Sequence, residues 1–270
     1  MPPPCWSWPL AADRVLRGRA SARRAVQSRC SWSRWLHRPL SSRENKGVTS
    51  HPLDGLGERV FVTDFDGTMT AVDFFDVVLH HADLTAMPDY WGECVAGRLT
   101  HVEALHGIFQ HAPRDLRVLR TYLAETRLDP QTPAAIERLR RHGWEVVVVS
   151  AGSQWYIEQL LADVRERVRI IANPGEFTPE TGLTMTWPPD DVPWFSRHFG
   201  VDKGAIVRCL LERGATVAFA GDGRPDLTAA RLVAESRRFA RGWLAETLAR
   251  EGLAFHRFEQ WSEIAGRLTA

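Results

Sequence analysis

Short apolar runs alternate with amphipathic stretches along most of this chain, from about residue 58 onward. The runs "RVFVT", "EVVVV" and "TVAFA" consist mainly of apolar residues, which predicts strands buried on both faces of a sheet. "RVRIIAN" and "RRFARG" predict two further strands, and "GEFTPETGLTMTWPP" predicts a hairpin with Thr181 and Gly182 at its turn. Because helical stretches separate the strands, the pattern predicts an α/β fold with a parallel sheet covered on both sides.

The stretch from residue 74 to 128 has a helical pattern throughout, with no strand signal. Within it, Thr100 and Glu103 have the spacing of a capping box at a helix start. Pro113 stands at a position that favours the first turn of another helix. We therefore expect several consecutive helices between the first predicted strand and the second.

The first 57 residues show neither helical nor alternating periodicity, so we expect a disordered extension outside the packed core. Residues 1–50 carry nine Arg and one Lys against two acidic residues. Such a composition is typical of an organelle transit peptide or of a basic tail that binds a charged surface. Four Trp residues and the opening "PPPCWSWP" suit neither signal. We therefore favour a start site assigned too far upstream, with translation beginning near Val48.

Composition narrows the class of protein. With 270 residues, 44% of them hydrophobic and 25% charged, the chain can bury one large core or a core with a small accessory domain. No apolar stretch approaches 18 residues, so no membrane-spanning helix is expected. Residues 51–270 carry 24 Lys and Arg against 31 Asp and Glu, which argues against nucleic acid as a partner. The four scattered Cys residues give no disulfide or zinc pattern, and a reduced cytoplasmic setting fits them best.

Polar residues follow three of the predicted strands. Asp64 and Asp66 end the first strand, residues 150–152 (Ser-Ala-Gly) end the second, and residues 221–223 (Gly-Asp-Gly) end the strand "TVAFA". Ligands of parallel sheets bind at the carboxyl ends of the strands, which all meet at one edge. The three signals therefore predict one site.

Carboxylates crowded at such an edge repel each other unless a cation lies between them. Mg²⁺ prefers hard oxygen ligands, and Asp64 and Asp222 can supply two carboxylates together with phosphate oxygens of a bound ester. Lys203, the Ser150 hydroxyl and the backbone N–H groups around Gly67 and Gly152 can offset the charge of a phosphate. This set predicts phosphoryl transfer to the Asp64 carboxylate.

The motifs "DFDGT" (64–68), "VVVVSAG" (146–152), "GVDKGA" and "GDGRPD" (221–226) together resemble those of the haloacid dehalogenase superfamily, in its phosphoserine-phosphatase-like branch. The resemblance covers about residues 58–265 and implies a Rossmann-like three-layer core with an inserted helical cap. It implies Asp64 as nucleophile and Asp66 as general acid and base. It also implies functional roles for nine residues: Mg²⁺ on Asp64, the Asp66 carbonyl and Asp222; phosphate contacts from Gly67, Ser150, Ala151 and Lys203; and supporting roles for Thr68 and Asp226, the latter orienting the lysine.

The resemblance also divides the chain. Residues 58–73 and 130–270 correspond to the core, residues 74–129 to the cap, and residues 1–57 to neither. A cap of this kind closes over the substrate and excludes water. The implied partner is a small phosphorylated metabolite, bound by a monomer or a homodimer, with no nucleic acid and no membrane.

The substrate is less closely defined by the sequence. "LTMTWPP", "FARGWLAETLAREG" and "FHRFEQWSEI" resemble segments of the methionine-salvage phosphatases that act on 2-hydroxy-3-keto-5-methylthiopentenyl-1-phosphate. Residues 190–202 lack the cysteines that many of those enzymes carry, and Pro225 stands where they often have Asn or Thr. Ile108 aligns with the cap arginine that holds the carboxylate in phosphoserine phosphatases, unless Arg98 or His106 takes that role.

Three alternatives remain open at this point. A phosphoserine phosphatase is one. Asp73 aligns with an acid that binds a substrate ammonium group, so an enzyme acting on phosphocholine or phosphoethanolamine is a second. A third is a ligand-binding module without turnover, although every expected catalytic residue is present. A phosphotransferase would use the same covalent intermediate and differ only in its acceptor.

Overall fold

The computed structural model describes residues 52–270, in which ten strands and ten α-helices form. The strands are β1 (Arg59–Thr63), β2 (Glu145–Ser153), β3 (Val168–Asn173), β4 (Phe177–Thr178), β5 (Gly182–Leu183), β6 (Phe195–Ser196), β7 (Gly200–Val201), β8 (Thr216–Gly221), β9 (Arg238–Ala240) and β10 (His256–Arg257). The helices are α1 (Phe74–His81), α2 (Tyr90–Val95), α3 (His101–Phe109), α4 (Leu116–Glu125), α5 (Thr132–Arg141), α6 (Gln154–Leu160), α7 (Lys203–Glu212), α8 (Leu227–Leu232), α9 (Gly242–Arg250) and α10 (Ser262–Leu268).

Six strands form one sheet in the order β10-β9-β8-β1-β2-β3, and every neighbouring pair is parallel. The predicted α/β fold with a parallel sheet is therefore confirmed. β1 lies at the centre, paired with β8 on one side and β2 on the other. β10 was not predicted, because a pair of residues is too short to give a periodic signal.

The apolar runs of the central strands supply both faces of the sheet. Phe61 and Val148 lie in one hydrophobic cluster, on the side of helices α1–α6 and α10. Val62 and Val147 point the other way, into a second cluster formed with α7, α8 and α9. All four side chains have no exposed surface. This two-sided burial explains why β1 and β2 read as continuous apolar runs instead of alternating ones.

The second cluster also includes Leu53, which has no exposed surface. Its carbonyl accepts a hydrogen bond from Arg213 Nη1 at 2.8 Å. The sequence prediction that residues up to 57 lie outside the core is therefore wrong for this segment, because an isolated Leu between polar residues gives no periodic signal. The rest of the predicted extension, residues 1–51, lies outside the described part of the chain.

The start signals of the helices were confirmed in one case and not in another. Helix α3 begins with the predicted capping box: the Thr100 side chain accepts from Glu103 N, and the Glu103 carboxylate accepts from Thr100 N at 2.8 Å. Helix α4 instead begins at Leu116, with the Asp115 side chain as its cap, and Pro113 precedes it. An aspartate that accepts a backbone N–H bond defines the start of this helix more strongly than a proline.

The hairpin also differs in detail from its prediction. Gly182, expected in the turn, is the first residue of β5 and pairs with Thr178. Its φ of +72° is a conformation that glycine adopts without strain.

Helices α1 to α4 leave and rejoin the sheet region at one place. Thr70 and Leu128 form an isolated antiparallel bridge, and Asp129 N donates to Met69 O at 3.0 Å. Ala71 N donates to Thr126 O at 3.0 Å. We call these paired segments, residues 69–72 and 126–129, the neck. Among the helices of residues 52–270, none has the length and apolarity needed to cross a membrane.

Candidate active site

The polar residues predicted to converge lie together at the carboxyl edge of the sheet. Because β1 pairs with both β2 and β8, the residues that follow these three strands are neighbours. The Thr68 hydroxyl lies between the two predicted metal-binding carboxylates, 3.2 Å from Asp64 Oδ2 and 3.1 Å from Asp222 Oδ1. Thr68 was predicted only as a supporting residue, and in the structure its hydroxyl bridges the two carboxylates.

Lys203 is the first residue of α7, and its side chain is only 2% exposed. Its Nζ donates to Asp64 Oδ1 at 2.5 Å and to Asp226 Oδ1 at 2.7 Å. Burial disfavours the charged ammonium, yet the two carboxylates outweigh burial and raise the pKa of Lys203. The lysine is therefore a permanent cation beside the predicted nucleophile.

Asp226 has no exposed surface, and its two carboxylate oxygens accept hydrogen bonds from three donors. Besides Lys203, its Oδ2 accepts from Asp222 N at 3.1 Å and from Gly223 N at 2.9 Å. Burial raises the pKa of Asp226 to about 6, and Asp64 adds to the rise while Lys203 opposes it. Asp226 thus fixes the loop that carries Asp222 as well as the lysine.

Asp66 is placed to hold a proton. Its Oδ1 accepts from the backbone N–H of Phe74 at 3.1 Å, and its Oδ2 accepts from the Tyr156 hydroxyl. Burial, only partly offset by the Tyr156 hydrogen bond, raises the pKa of Asp66 to about 7, and the charge of Asp64 adds to the rise. A group with such a pKa can give up and regain a proton near neutral pH.

Tyr156 was missed by the sequence predictions, although it lies in the first turn of the helix that follows the Ser-Ala-Gly motif. It is 1% exposed, and a Cβ on Gly152 would overlap its hydroxyl. Only glycine at position 152 therefore leaves room for the Tyr156–Asp66 hydrogen bond.

Tyr156→Phe is expected to lower kcat for phosphate release by roughly tenfold, because the Asp66 carboxyl loses the donor that orients it. KM should change little, since the ring and its packing remain. Steady-state kinetics would check this split. A rise in KM with unchanged kcat would assign Tyr156 to substrate binding instead.

Asp73, predicted to bind a substrate ammonium group, lies against the other carboxylates. A Cβ on Gly67 would overlap the Asp222 carboxylate and come within 2.7 Å of Asp73 Oδ1, so glycine allows both acids to approach the β1 loop. Burial raises the pKa of Asp73 well above its usual value, and the charges of Asp66, Asp76 and Asp64 raise it further. The Gly67 N–H, predicted to bind phosphate, donates to Thr70 Oγ1 at 3.1 Å.

Arg241 is a second cation that the sequence predictions missed. It follows β9 directly, and the same strand-end rule that located Asp64 applies to it. Its guanidinium donates to Gly67 O at 2.5 Å, to Glu259 O at 2.9 Å and to Thr70 O. These bonds connect the loop after β1 to the end of β9, close to Asp222 and Asp73.

The acidic residues offer oxygen atoms suited to a divalent cation. One carboxylate oxygen from each of Asp64, Asp222 and Asp226 lies within 4.8 Å of the others. Burial raises the pKa of Asp222 well above its usual value, and Asp73 and Asp64 raise it further. The cluster of carboxylates therefore has more negative charge than its neighbouring cations balance. An all-oxygen set with excess negative charge fits Mg²⁺. Asp226 is already engaged by Lys203 and two N–H groups, which leaves Asp64 and Asp222 as the carboxylates able to bind it.

The predicted phosphate-binding motif lies at the end of β2 and is buried. Ser150 is 2% exposed, and its Oγ accepts from Gly152 N at 2.9 Å. The Gly152 N–H is therefore engaged within the motif. Ala151 O accepts from Asn173 Nδ2 at 2.7 Å, which anchors the motif to the neighbouring strand β3.

The predicted substrate residue of the cap, Ile108, has no exposed surface and lies in the first hydrophobic cluster. It has no surface to offer a ligand in this arrangement, because helix α3 turns that face inward. The two alternatives are also engaged elsewhere. Arg98 forms an exposed ion pair with Glu93, and His106 Nδ1 lies 2.8 Å from Met185 O.

A separate cavity of about 230 Å³ lies between residues 56–58 and residues 210–215. These segments adjoin the amino ends of β1 and β8, at the opposite edge of the sheet. In parallel sheets this edge does not carry the chemistry. The cavity is therefore not part of the candidate site.

Residues 61–231 match the family described as haloacid dehalogenase-like hydrolase. A 2-hydroxy-3-keto-5-methylthiopentenyl-1-phosphate phosphatase from Bacillus cereus is 22% identical over 207 residues, covering 76% of this chain and 93% of the relative. The structure titled as a phospho-aspartyl intermediate analogue of phosphoserine phosphatase has a TM-score of 0.53 and 16% identity, covering 77% of this chain and 98% of that one. A probable phosphoserine phosphatase from Vibrio cholerae has a TM-score of 0.57 and 17% identity, covering 78% and 64%.

The solved structures share the fold of this chain, and the family match includes every motif predicted to carry the chemistry, from "DFDGT" to "GDGRPD". The predicted superfamily, the predicted fold class and the assignment as a phosphatase-type enzyme are confirmed. The chain belongs to the haloacid dehalogenase-like hydrolase family.

Proposed function

We propose that this protein is a Mg²⁺-dependent phosphomonoester hydrolase that works through a phosphorylated Asp64. One observation carries the proposal: Asp64 is buried against the permanent cation Lys203, while Asp66, two residues on, has its pKa raised to about 7. Of these two carboxyl groups, Asp64 lies against a cation and Asp66 can carry a proton. Such a difference separates a nucleophile from an acid.

In the first half-reaction an oxygen of Asp64 attacks phosphorus in line, and the bond to the ester oxygen breaks. Asp66, protonated, gives its proton to the departing alcohol. In the second half-reaction Asp66 takes a proton from water, whose oxygen attacks phosphorus, and inorganic phosphate and free Asp64 result. Lys203 and the Ser150 hydroxyl offset the charge on the phosphoryl oxygens throughout.

A bound Mg²⁺ would be held by the Asp64 and Asp222 carboxylates and the Asp66 carbonyl, and it would neutralise charge between carboxylate and ester. Asp226 orients Lys203 and the Asp222 loop from behind. Arg241 fixes the carbonyls of the β1 loop. These side chains set the geometry before the ester arrives.

We further propose that α1–α4 are the cap, with residues 58–73 and 130–270 as core. The neck supports this division, because the inserted helices leave and return at the Thr70–Leu128 bridge, within a few residues of Asp64. A closing motion of the cap would exclude water from the site.

For the substrate we propose 2-hydroxy-3-keto-5-methylthiopentenyl-1-phosphate, which the names of the Bacillus relatives support. Phosphoserine is the second candidate, because structures with the same fold carry that name. A reaction on such a small metabolite would take place in the cytoplasm, in a monomer or a homodimer and without nucleic acid.

The test is release of inorganic phosphate from a panel of phosphomonoesters that includes both candidates, with the full chain. We expect turnover with Mg²⁺ and loss of at least about a hundredfold after chelation, because the crowded carboxylates then repel the ester. Restoration on adding Mg²⁺ back is the control. Activity that persists undiminished without a divalent cation would contradict the proposal.

A further inference from the structure

Four aromatic side chains form a continuous arc from the predicted acid to the phosphate-binding motif. Phe75 stacks on Trp91 with ring centroids 4.5 Å apart, Trp91 meets His101 edge to face at 5.7 Å, and His101 meets Phe199 at 5.5 Å. We call Phe75, Trp91, His101 and Phe199 the aromatic arc. Its members come from α1, α2, α3 and the β6–β7 turn, so three helices of the inserted stretch and one loop of the sheet region build it.

Both ends of the arc are tied to the site by hydrogen bonds. Phe75 follows Phe74, whose N–H donates to Asp66 Oδ1 at 3.1 Å. At the other end, Asn173 Nδ2 donates to Phe199 O at 3.0 Å and to Ala151 O at 2.7 Å. The arc therefore runs from beside the predicted acid, over the inserted helices, to beside the phosphate-binding motif.

Phe75 is a buried member of the first hydrophobic cluster, but the other three rings of the arc are less buried. Trp91, His101 and Phe199 all keep part of their surface exposed, whereas the aromatic rings of the first cluster near Asp66, such as Phe74 and Tyr156, are almost fully buried. Surface left on adjoining aromatic rings beside a polar site is available to a ligand.

The arc is electrically neutral at physiological pH. Desolvation, together with the nearby His198 and Lys203, lowers the pKa of His101 to about 3, so its ring is uncharged. The groups that face His101 are the Trp91 and Phe199 rings, the His198 side chain and, further off, Lys203. Arg98, the arginine of the inserted helices that could hold a substrate carboxylate, pairs instead with Glu93 on the surface.

We propose that the aromatic arc binds the leaving group of the ester and selects esters of uncharged, apolar alcohols or enols over those carrying a carboxylate and an ammonium group. This inference rests on the proposed function and deepens it by assigning the residues that read the substrate. An apolar group gains free energy by leaving water for the ring faces, whereas a carboxylate would lose its hydration with no cation in the arc to replace it.

Binding of stable phosphonates to the Mg²⁺-loaded full chain tests the proposal without relying on turnover. Calorimetry would compare benzylphosphonate with 2-amino-3-phosphonopropionate, which differ in the group attached to the phosphonate-bearing carbon. We expect the wild type to bind benzylphosphonate about tenfold more tightly or better. Trp91→Leu and Phe199→Leu should each lose most of this preference.

Tyr122→Leu is the matched control. Tyr122 also stacks on a histidine of the inserted helices, His81, with centroids 4.2 Å apart, but outside the arc. This variant should keep the wild-type preference. If Trp91→Leu and Phe199→Leu lower only the thermal midpoint and keep the preference, the arc is structural packing and the proposal is overturned.

The two proposals fail in different ways. Equal affinities for the two phosphonates, tighter binding of the charged one, or no binding of either would overturn the role of the arc. If the preference is found but no ester releases phosphate, the role of the arc stands and the proposed hydrolase function fails. If esters are hydrolysed but phosphoserine is preferred, the function stands and the arc proposal fails.

Discussion

Asp64→Asn is expected to reduce phosphate release by roughly 10⁴-fold or more, because an amide cannot attack phosphorus and every later step depends on that attack. The substitution keeps the volume of the side chain and leaves Lys203 its second partner, Asp226, at 2.7 Å. It also removes a negative charge from the crowded carboxylates, and this charge is one of the causes that raise the pKa of Asp66. We therefore expect the variant to fold, with a thermal midpoint in the absence of metal no lower than that of the wild type.

Phosphate release under saturating ester and Mg²⁺ measures the effect, together with acid quenching to trap the phosphorylated protein. The wild type should carry acid-stable label on the peptide that contains residue 64, and the variant should carry none. Asp115→Asn is the control, since it makes the same chemical change at the exposed cap of α4, where asparagine serves equally well. A variant at position 64 that retains both label and turnover would rule out Asp64 as the nucleophile.

Lys203→Met should produce the largest loss of stability among single substitutions in the site. The ammonium lies between two buried carboxylates, Asp64 and Asp226, at 2.5 and 2.7 Å. Removing one partner of a buried ion pair leaves uncompensated charge and costs about 3 kcal/mol or more of unfolding free energy. Phosphate release should fall by about a hundredfold or more as well, because a charge that opposes the phosphoryl oxygens is lost.

The loss should depend on pH in a defined direction. Lys203 opposes the rise in the pKa of Asp226 that burial and the charge of Asp64 cause, so without Lys203 that pKa lies still further above its value in the unfolded chain. The folded variant then binds more protons than the unfolded variant, so its free energy of unfolding rises as the pH falls. The difference in unfolding free energy between variant and wild type therefore narrows at low pH. Urea denaturation in the presence of a chelator at pH 8 and pH 5 would measure this. A larger difference at pH 5 would contradict the argument.

Two further variants separate charge from packing. Lys203→Met combined with Asp226→Asn should recover part of the lost stability, because one of the stranded charges is gone. Arg208→Met, an exposed position on the same helix α7, should leave stability within about 0.5 kcal/mol of the wild type.

The site was predictable from sequence wherever a residue directly follows a buried strand. Asp64 and Asp222 were placed together because parallel strands end at one edge, and Lys203 because it opens a helix there. Tyr156 was not predicted, since β2 continues to Ser153 and α6 starts at the next residue, so the direction of its side chain depends on a junction without a loop. Arg241 could have been found by the strand-end rule, but β9 has only three residues and its end is hard to locate.

The fold was predictable to the same extent. The two-sided burial of β1 and β2 leaves a clear apolar run, and the strands were found. Burial of a single residue leaves no such apolar run. Leu53 packs under the sheet as one apolar residue among polar neighbours, and Ile108 faces inward although its alignment pointed to the substrate. Both positions depend on how helices and segments pack, which periodicity along one segment does not encode.

The neck has a consequence for the order of events during turnover. Its first segment, residues 69–72, continues the loop that carries Thr68, and the Thr70 hydroxyl accepts from Gly67 N at 3.1 Å. The Thr70 carbonyl is also held by Arg241. A closing motion of the proposed cap would therefore pull on the same short loop that aligns Asp64 and Asp222, the two aspartates proposed to bind Mg²⁺. Opening to release the alcohol and loosening of the aspartates would be one movement, so the enzyme would be chemically competent only while shut.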